Sequence, residues 1–275
     1  MDGTAEDYEI LCPKFQPRYV ESAIDSHFPA MEWSDEDIIL DIGCGPGRTT
    51  KNILLQKCPK FKKIVAVDII PNFIEYARKT YFDEKIEFQI QDITQRPDLK
   101  EIGKYDKVVS FYAFHFINDY QKLFSVISSI LKPGGYFFFV IFSKCPLFPV
   151  IQDLSTNEEW KKYIKAEDML NTIPLIDNWI DAESELKKSL SKFDLRVTKS
   201  KCEVLDMPFS DKKHFLDLLF AVLPKALFQK MEPNVKTLLL NHAEQIILKY
   251  VSQKKNGEIS APFEFLQVSG MKNKT

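Results

Sequence analysis

Two carboxylates placed around a glycine-rich turn are the residues of this chain best suited to chemistry. Asp41 sits in an apolar, β-branched run beginning at Ile38 and is followed at once by Gly43, Gly45 and Gly47. Such a run reads as a buried parallel strand whose carboxyl end opens on a ligand. The glycines permit backbone conformations closed to residues with a Cβ and let a ligand come close to the main chain. Asp68 ends a second apolar run over 63–68, where an acid suits a bidentate hydrogen bond to a ribose diol. A dinucleotide fits less well. The G-x-G-x-x-G pattern needs its third glycine where Arg48 stands, and Asp41 would lie beside the pyrophosphate. Asp92 follows a third run over 86–90 and can accept from an adenine amino group while Ile93 packs on the ring, although a turn-forming Asp accounts for the same residue.

The elements that position these residues alternate in type. Strands over 38–41, 63–68, 86–90, 104–111 and 136–142 are separated by helices over 49–55, 71–81 and 120–131, with Pro133 and the pair Gly134-Gly135 ending the last helix. This alternation predicts an α/β fold with a mostly parallel, doubly wound sheet whose ligands bind at the carboxyl edge. Before it, residues 1–16 read as a polar arm or lid leading to a helix over 17–28, with Pro17 in its first turn. After it, 145–180 mixes prolines with Phe148, Trp160, Tyr163 and Trp179 and shows no clear period. A helix over 182–192, a sixth strand over 194–205, helices over 211–231 and 234–251, and a closing strand over 263–271 complete a seven-stranded sheet. We expect one domain over 1–275. Its parts are an arm and helix at 1–30, a cofactor-binding core at 35–145, and substrate-cap segments at 146–180 and 206–255.

Composition narrows the class. The formal net charge is −2 with acids and bases interspersed, so there is no basic stripe of the kind that nucleic acids or anionic membranes select. The cysteines, at 12, 44, 58, 145 and 202, are scattered without metal-type spacing and read as reduced thiols. The first residues are acidic where a signal peptide is basic, and no apolar run reaches membrane-spanning length. The expectation is a cytoplasmic protein with no metal, no nucleic-acid partner and no membrane span; a homodimer stays open.

Taken in order, the Asp41-to-Gly47 turn, Asp68, Asp92-Ile93, Tyr105-Asp106 and the segment from Leu131 to Gly135 resemble the motifs of class I S-adenosylmethionine-dependent methyltransferases, which have a Rossmann-like fold. Phe15-Gln16-Pro17-Arg18, the stretch from Ser110 to Phe116 and the proline-containing segment after Cys145 extend the resemblance to the insect juvenile hormone acid O-methyltransferases. The resemblance implies S-adenosylmethionine as cofactor, held by Asp41, Gly43, Cys44, Gly45, Asp68, Ile69, Asp92, Ile93 and Ser110. It also implies a hydrophobic carboxylic acid as substrate, such as farnesoic acid or juvenile hormone acid. In that family a Gln near the start and a Trp after a His hold the acceptor carboxylate. Gln16 matches the Gln, whereas Phe116 stands where the Trp would be. A phenyl ring cannot donate a hydrogen bond, and a buried carboxylate short of one donor loses about 1–3 kcal/mol. His115 is the candidate replacement donor, or else a packed residue of an aromatic segment. Two other readings stay open on the sequence: methylation of a different small molecule, an amine or a phenol, and a non-catalytic cofactor-binding protein acting through a partner.

Overall fold

The computed structural model describes residues 5–11, 16–223, 228, 231–254 and 257–274. Its strands are β1 (Ile38–Ile42), β2 (Lys63–Asp68), β3 (Ile86–Ile90), β4 (Tyr105–Phe111), β5 (Leu131–Lys144), β6 (Leu195–Phe209), β7 (Ser252–Gln253) and β8 (Ile259–Lys272). Among the described residues they form one eight-stranded sheet in the order β3-β2-β1-β4-β5-β8-β6, with β7 antiparallel to β8. The expected seven strands become eight because the two-residue β7 is too short to carry any alternation. The pairs β1–β2, β1–β4, β2–β3 and β4–β5 are parallel. Strands of this kind are covered on both faces, and β1 is accordingly buried at every position after Ile38.

The chain divides into two compact units. One comprises Lys14–Ile141, Trp179–Cys202 and Leu266–Thr275, the other Met1–Pro13, Phe142–Asn178 and Glu203–Phe265. In the first, α2 (Gln16–His27), α3 (Leu55–Lys57), α4 (Pro71–Thr80), α5 (Tyr120–Ile130) and α8 (Ala182–Ser191) alternate with strands. Local chemistry sets several starts. Pro71 occupies the first turn of α4, and the Asp119 and Asp181 side chains accept the Lys122 and Ser184 amides as N-caps of α5 and α8. β5 begins directly at Leu131, five residues earlier than the sequence pattern suggests. Tyr105 pairs with Leu131 and Lys107 with Tyr136, so the Pro-Gly-Gly stretch is a bulge within the ladder and not a connecting loop.

The second unit holds most of the expected cap segments, and here the sequence reading needs correction. Residues 5–11, expected as an arm, form helix α1 (Ala5–Leu11), which packs on α9 (Lys212–Val222). Within 145–180 lie α6 (Leu147–Thr156) and α7 (Ala166–Leu170). Pro149 falls in the first turn of α6, where its missing N–H would have had no helical partner. The helix expected to continue to 231 is α9, and residues 224–227, 229 and 230 lie outside the described set. The last helix, α10 (Pro233–Ile247), contributes His242, whose Nδ1 accepts from the buried Trp160 indole N–H at 2.7 Å. The tilted rings of Phe142, Phe209, Phe263 and Phe265 pack within this unit at centroid distances of 5.0–6.4 Å.

Two buried polar clusters fix the first unit. At the amino ends of β1 and β4, Lys107 Nζ binds Asp37 Oδ2, with the side chains 3% and 9% exposed, and lies 4.4 Å from the Trp33 ring centroid. Beside it the Asp106 carboxylate accepts the Ile38 amide at 2.8 Å and Lys132 Nζ at 2.7 Å. The other cluster joins α2 to β8. Gln267 Oε1 can only accept, so His27 donates to it from Nε2 at 3.1 Å and accepts the Ser269 hydroxyl at Nδ1 at 2.7 Å. Burial, with the Lys199 charge adding to it, lowers His27 to about 4, so the imidazole is neutral at pH 7.

Lys107→Met leaves the Asp37 carboxylate buried without its cation and is expected to cost about 3–5 kcal/mol. Adding Asp37→Leu should recover most of this loss. Urea unfolding midpoints of the single and double variants check it; a single variant as stable as the parent would contradict the buried pair.

Candidate active site

The order β3-β2-β1-β4 reverses direction between β1 and β4, which opens a crevice at their carboxyl ends. Three connections shape it. The Gly43 and Cys44 amides both donate to the Val67 carbonyl, at 2.8 and 3.0 Å, and fold the loop under the end of β2. The Gly45 amide donates to Asp68 Oδ2 at 2.9 Å, while Asp68 Oδ1 accepts the Ile70 amide at 2.9 Å. From β4, the Ser110 hydroxyl donates to the Ile42 carbonyl at 2.9 Å.

Glycine is required at the head of this loop. Gly43 has φ +71°, and a Cβ built on it would stand 2.1 Å from that of Ala113 in the segment after β4. Gly45 has φ +57° and brings its amide to Asp68. A helix then starts at Arg48. Its π-helical stretch, Thr50–Leu54, is marked by the Leu55 amide donating to the Thr50 carbonyl five residues back. π-turns insert one residue into a helix and recur at functional sites. Here the Thr50 hydroxyl donates to Asp41 Oδ2 at 2.6 Å, both residues being buried.

The electrostatics follow from burial. Asp41 is 1% exposed. Desolvation raises its carboxyl, the Thr50 bond draws it down, the Asp68 charge raises it again, and the balance is about 7. Burial likewise raises Asp68, against the amides of Ile70, Gly45 and Ile69. The Cys44 thiol is buried and pushed well up, with Asp41 and Asp68 adding to the effect, so it stays protonated.

The other expected residues are placed as follows. Ile69 is 60% exposed beside Asp68, and Ile93 is buried. The Asp92 carboxylate closes a turn, accepting from the Thr94 amide, the Thr94 hydroxyl and Gln95 Nε2 at 2.7–2.9 Å. Burial alone would raise it, but these bonds leave it below its usual range. The Gln91 amide donates to the Asp68 carbonyl at 3.0 Å, which ties the end of β3 to the same edge. His115 and Phe116 lie in a single 3-10 turn after β4, with ring centroids 4.2 Å apart. His115 is buried and lowered by burial to about 3, so it brings a neutral imidazole and no positive charge. Phe116 is 47% exposed. Gln16 is the first residue of α2; its side chain lies outside the described set. Thr50 was missed from sequence, since a Thr early in a helix carries no signal until the π-turn aims it at Asp41.

This donor set suits one kind of ligand. The loop amides of Gly43, Cys44 and Gly45 are already taken by Val67 and Asp68, so they form no open cradle for phosphate. Two acids accompany the loop, Asp68, which is partly exposed, and Asp41, which is buried. A carboxylate oxygen accepts more than one hydrogen bond, so Asp68 can keep its amides and also take ribose hydroxyls. A sulfonium nucleoside with an amino-acid tail fits these residues, and a pyrophosphate does not.

Comparison with known proteins agrees. Residues 40–139 match a family described as a methyltransferase domain. Over 199 residues the chain is 27% identical to juvenile hormone acid O-methyltransferase of Bombyx mori, covering 71% of this chain and 70% of that protein. The Drosophila melanogaster enzyme of the same name is 31% identical over 147 residues, which cover 52% of this chain but only 50% of the relative. The fold is shared with phosphoethanolamine N-methyltransferase 2 of Haemonchus contortus, solved in complex with S-adenosyl-L-methionine, at a TM-score of 0.53 and 18% identity over 98% of this chain and 56% of that one. Residues 40–139 are therefore a methyltransferase domain on the Rossmann-like fold of class I methyltransferases, and the chain that carries it is similar to the insect juvenile hormone acid O-methyltransferases.

Proposed function

We propose that this protein is an S-adenosylmethionine-dependent O-methyltransferase whose acceptor is the carboxylate of a hydrophobic acid, of the farnesoic or juvenile hormone acid type. The observation that carries the cofactor is the acid-flanked loop, with Asp68 on the Gly45 amide at 2.9 Å and Asp41 buried behind it. The acceptor class is supported by the likeness to the two insect enzymes, both named for O-methylation of an acid.

When bound, S-adenosylmethionine supplies a methyl group on a sulfonium, which leaves in an in-line displacement. The chain has a limited task. A carboxylic acid with an unperturbed pKa near ~4 is ionised at pH 7, so no general base is required. Asp68 orients the ribose, Asp92 and Ile93 the adenine, and Ile69 offers an exposed apolar surface beside them. Asp41 faces the amino-acid end, with Gly43, Cys44 and Gly45 allowing close approach and Ser110 fixing β4 to the loop. Gln16 orients the acceptor carboxylate through its amide, in the turn-and-helix region where His115 and Phe116 shape the opposite wall. Alignment and exclusion of water from the nucleophile then account for the rate.

Residues of the two roles should separate in experiment. Asp68→Asn removes the charge that strengthens the bonds to the ribose hydroxyls, so cofactor affinity should fall about 10- to 100-fold. Gln16→Ala should leave cofactor affinity unchanged, as read by calorimetry, and cut turnover at saturating acceptor. A normal rate in Gln16→Ala would remove Gln16 from the acceptor site.

The reading as a whole is tested by transfer of label from S-adenosylmethionine to a panel of farnesoic acid, juvenile hormone acid, straight-chain fatty acids, an amine and a phenol. Labelled methyl ester from the terpenoid acids is expected, at a rate flat with pH above ~5.5, where the acid is already ionised. Label appearing only on the amine or phenol, with a rate that climbs with pH, would overturn it.

A further inference from the structure

Away from the crevice, the segment between β3 and β4 leaves a groove against α5 that methyl transfer does not use. It has a volume of about 350 Å³ and runs along one face of that helix, past Lys122, Ser125, Val126 and Ser129 at helical spacing. Its two ends differ in chemistry. At the start of α5 the other wall is Thr94, whose amide and hydroxyl hold the Asp92 turn, followed by Arg96. Burial pushes the Asp92 carboxyl up, its bonds from Gln95 and Thr94 draw it down, and the Lys122 charge adds to them, so that ammonium stands at this end. At the other end the Gly103 amide donates to the Ser129 carbonyl at 2.9 Å and brings Ile102 against the last turn of α5. Leu99 and Ile102 are 88% and 50% exposed, and with Pro97 and the buried Val126 they make the apolar length of the groove.

The acids of the same segment are engaged with other partners. Asp98 pairs with Lys100 at 3.4 Å, and the buried Glu101 accepts from Lys104 Nζ at 3.3 Å and from the Tyr105 hydroxyl at 3.2 Å. Among the described residues Arg96 and Lys122 form no ion pair. A charged head group therefore meets cations at one end only, and an alkyl chain meets apolar surface beyond it. We propose that this groove is a second ligand site, for the anion of a medium-chain hydrophobic acid, with the carboxylate on Arg96 and Lys122 and the chain along Leu99, Ile102 and Val126. The Arg96 guanidinium suits a carboxylate through its paired N–H donors, and the ammonium adds a second charge. The volume falls in the range of small-molecule sites. The apolar surface rests on two exposed side chains, too few for the ~800 Å² per partner of a stable protein interface, which favours a free acid over a protein. The site lies outside the crevice and does not depend on the cofactor or acceptor assigned there.

The test uses decanoic acid carrying a diazirine midway along its chain, photolysed with the intact protein at neutral pH and mapped by mass spectrometry, which reads position without any turnover. Label is expected on residues 97–102 and 122–129, and excess unlabelled decanoate should suppress it. Arg96→Gln combined with Lys122→Gln should cut labelling there roughly tenfold at sub-saturating probe, the loss of about one charge-assisted contact. Leu99→Asp, which sets a like charge in the groove, should do the same. All three side chains are exposed, so the variants should fold as the parent does, and thermal unfolding checks this. The alcohol with the same photoreactive chain should label the groove as weakly as the double variant does. Label confined to the crevice and insensitive to these substitutions would overturn the inference and leave the proposed acceptor standing. Groove label that decanoate does not displace, or that the alcohol matches, would also overturn it, as the mark of an adventitious apolar surface only. So would the absence of label at both places.

Discussion

The end of β2 holds the site together. A single carbonyl, that of Val67, accepts the amides of Gly43 and Cys44, and the next side chain, Asp68, accepts the amide of Gly45. Three consecutive donors of the loop are thereby spent on β2. The geometry demands positive φ at the glycines and leaves no room for a Cβ at Gly43 against Ala113. It also determines what the loop can bind. Phosphate-binding glycine loops present free amides, whereas here the amides of Gly43, Cys44 and Gly45 are used internally.

Burying two acids side by side is costly, and the fold bears that cost locally. Asp68 recovers part of its lost hydration from backbone amides, and Asp41 from the Thr50 hydroxyl. Among the described residues neither forms an ion pair, in contrast to the amino-terminal edge of the same strands, where Lys107 matches Asp37 and Lys132 matches Asp106.

Much of this was legible in the residues. The strand ending on Asp68 was read to the residue because its apolar run stops abruptly at a charge; β3 was also read to the residue, and β1 and β4 to within one. The glycine turn after β1 and the acids at the strand ends were legible from residue type alone, since glycine supplies the positive φ of a tight turn and acids interrupt apolar runs. Other features were hidden by physics that acts beyond sequence neighbours. The π-turn at Thr50 answers to a carboxylate nine positions away in chain and adjacent only in space. The bulge at Leu131–Gly135 looks like a loop because proline and glycine usually end elements, yet the ladder resumes on both sides of it. Helix α6 was missed because Pro149 reads as a breaker everywhere except in a first turn. The second unit is the less legible one, since its short helices pack on one another and never acquire the strand-helix rhythm of the first.

The account stands on Asp41 and Asp68 as the two acceptors that receive the cofactor. A crystal structure with S-adenosylhomocysteine bound tests this most directly. The account predicts both ribose hydroxyls within hydrogen-bonding distance of the Asp68 carboxylate and the amino-acid end of the ligand lying over Gly43 to Gly45 toward Asp41. A ligand seated elsewhere, or one in this crevice whose ribose leaves Asp68 bonded only to the amides of Gly45 and Ile70, would contradict it.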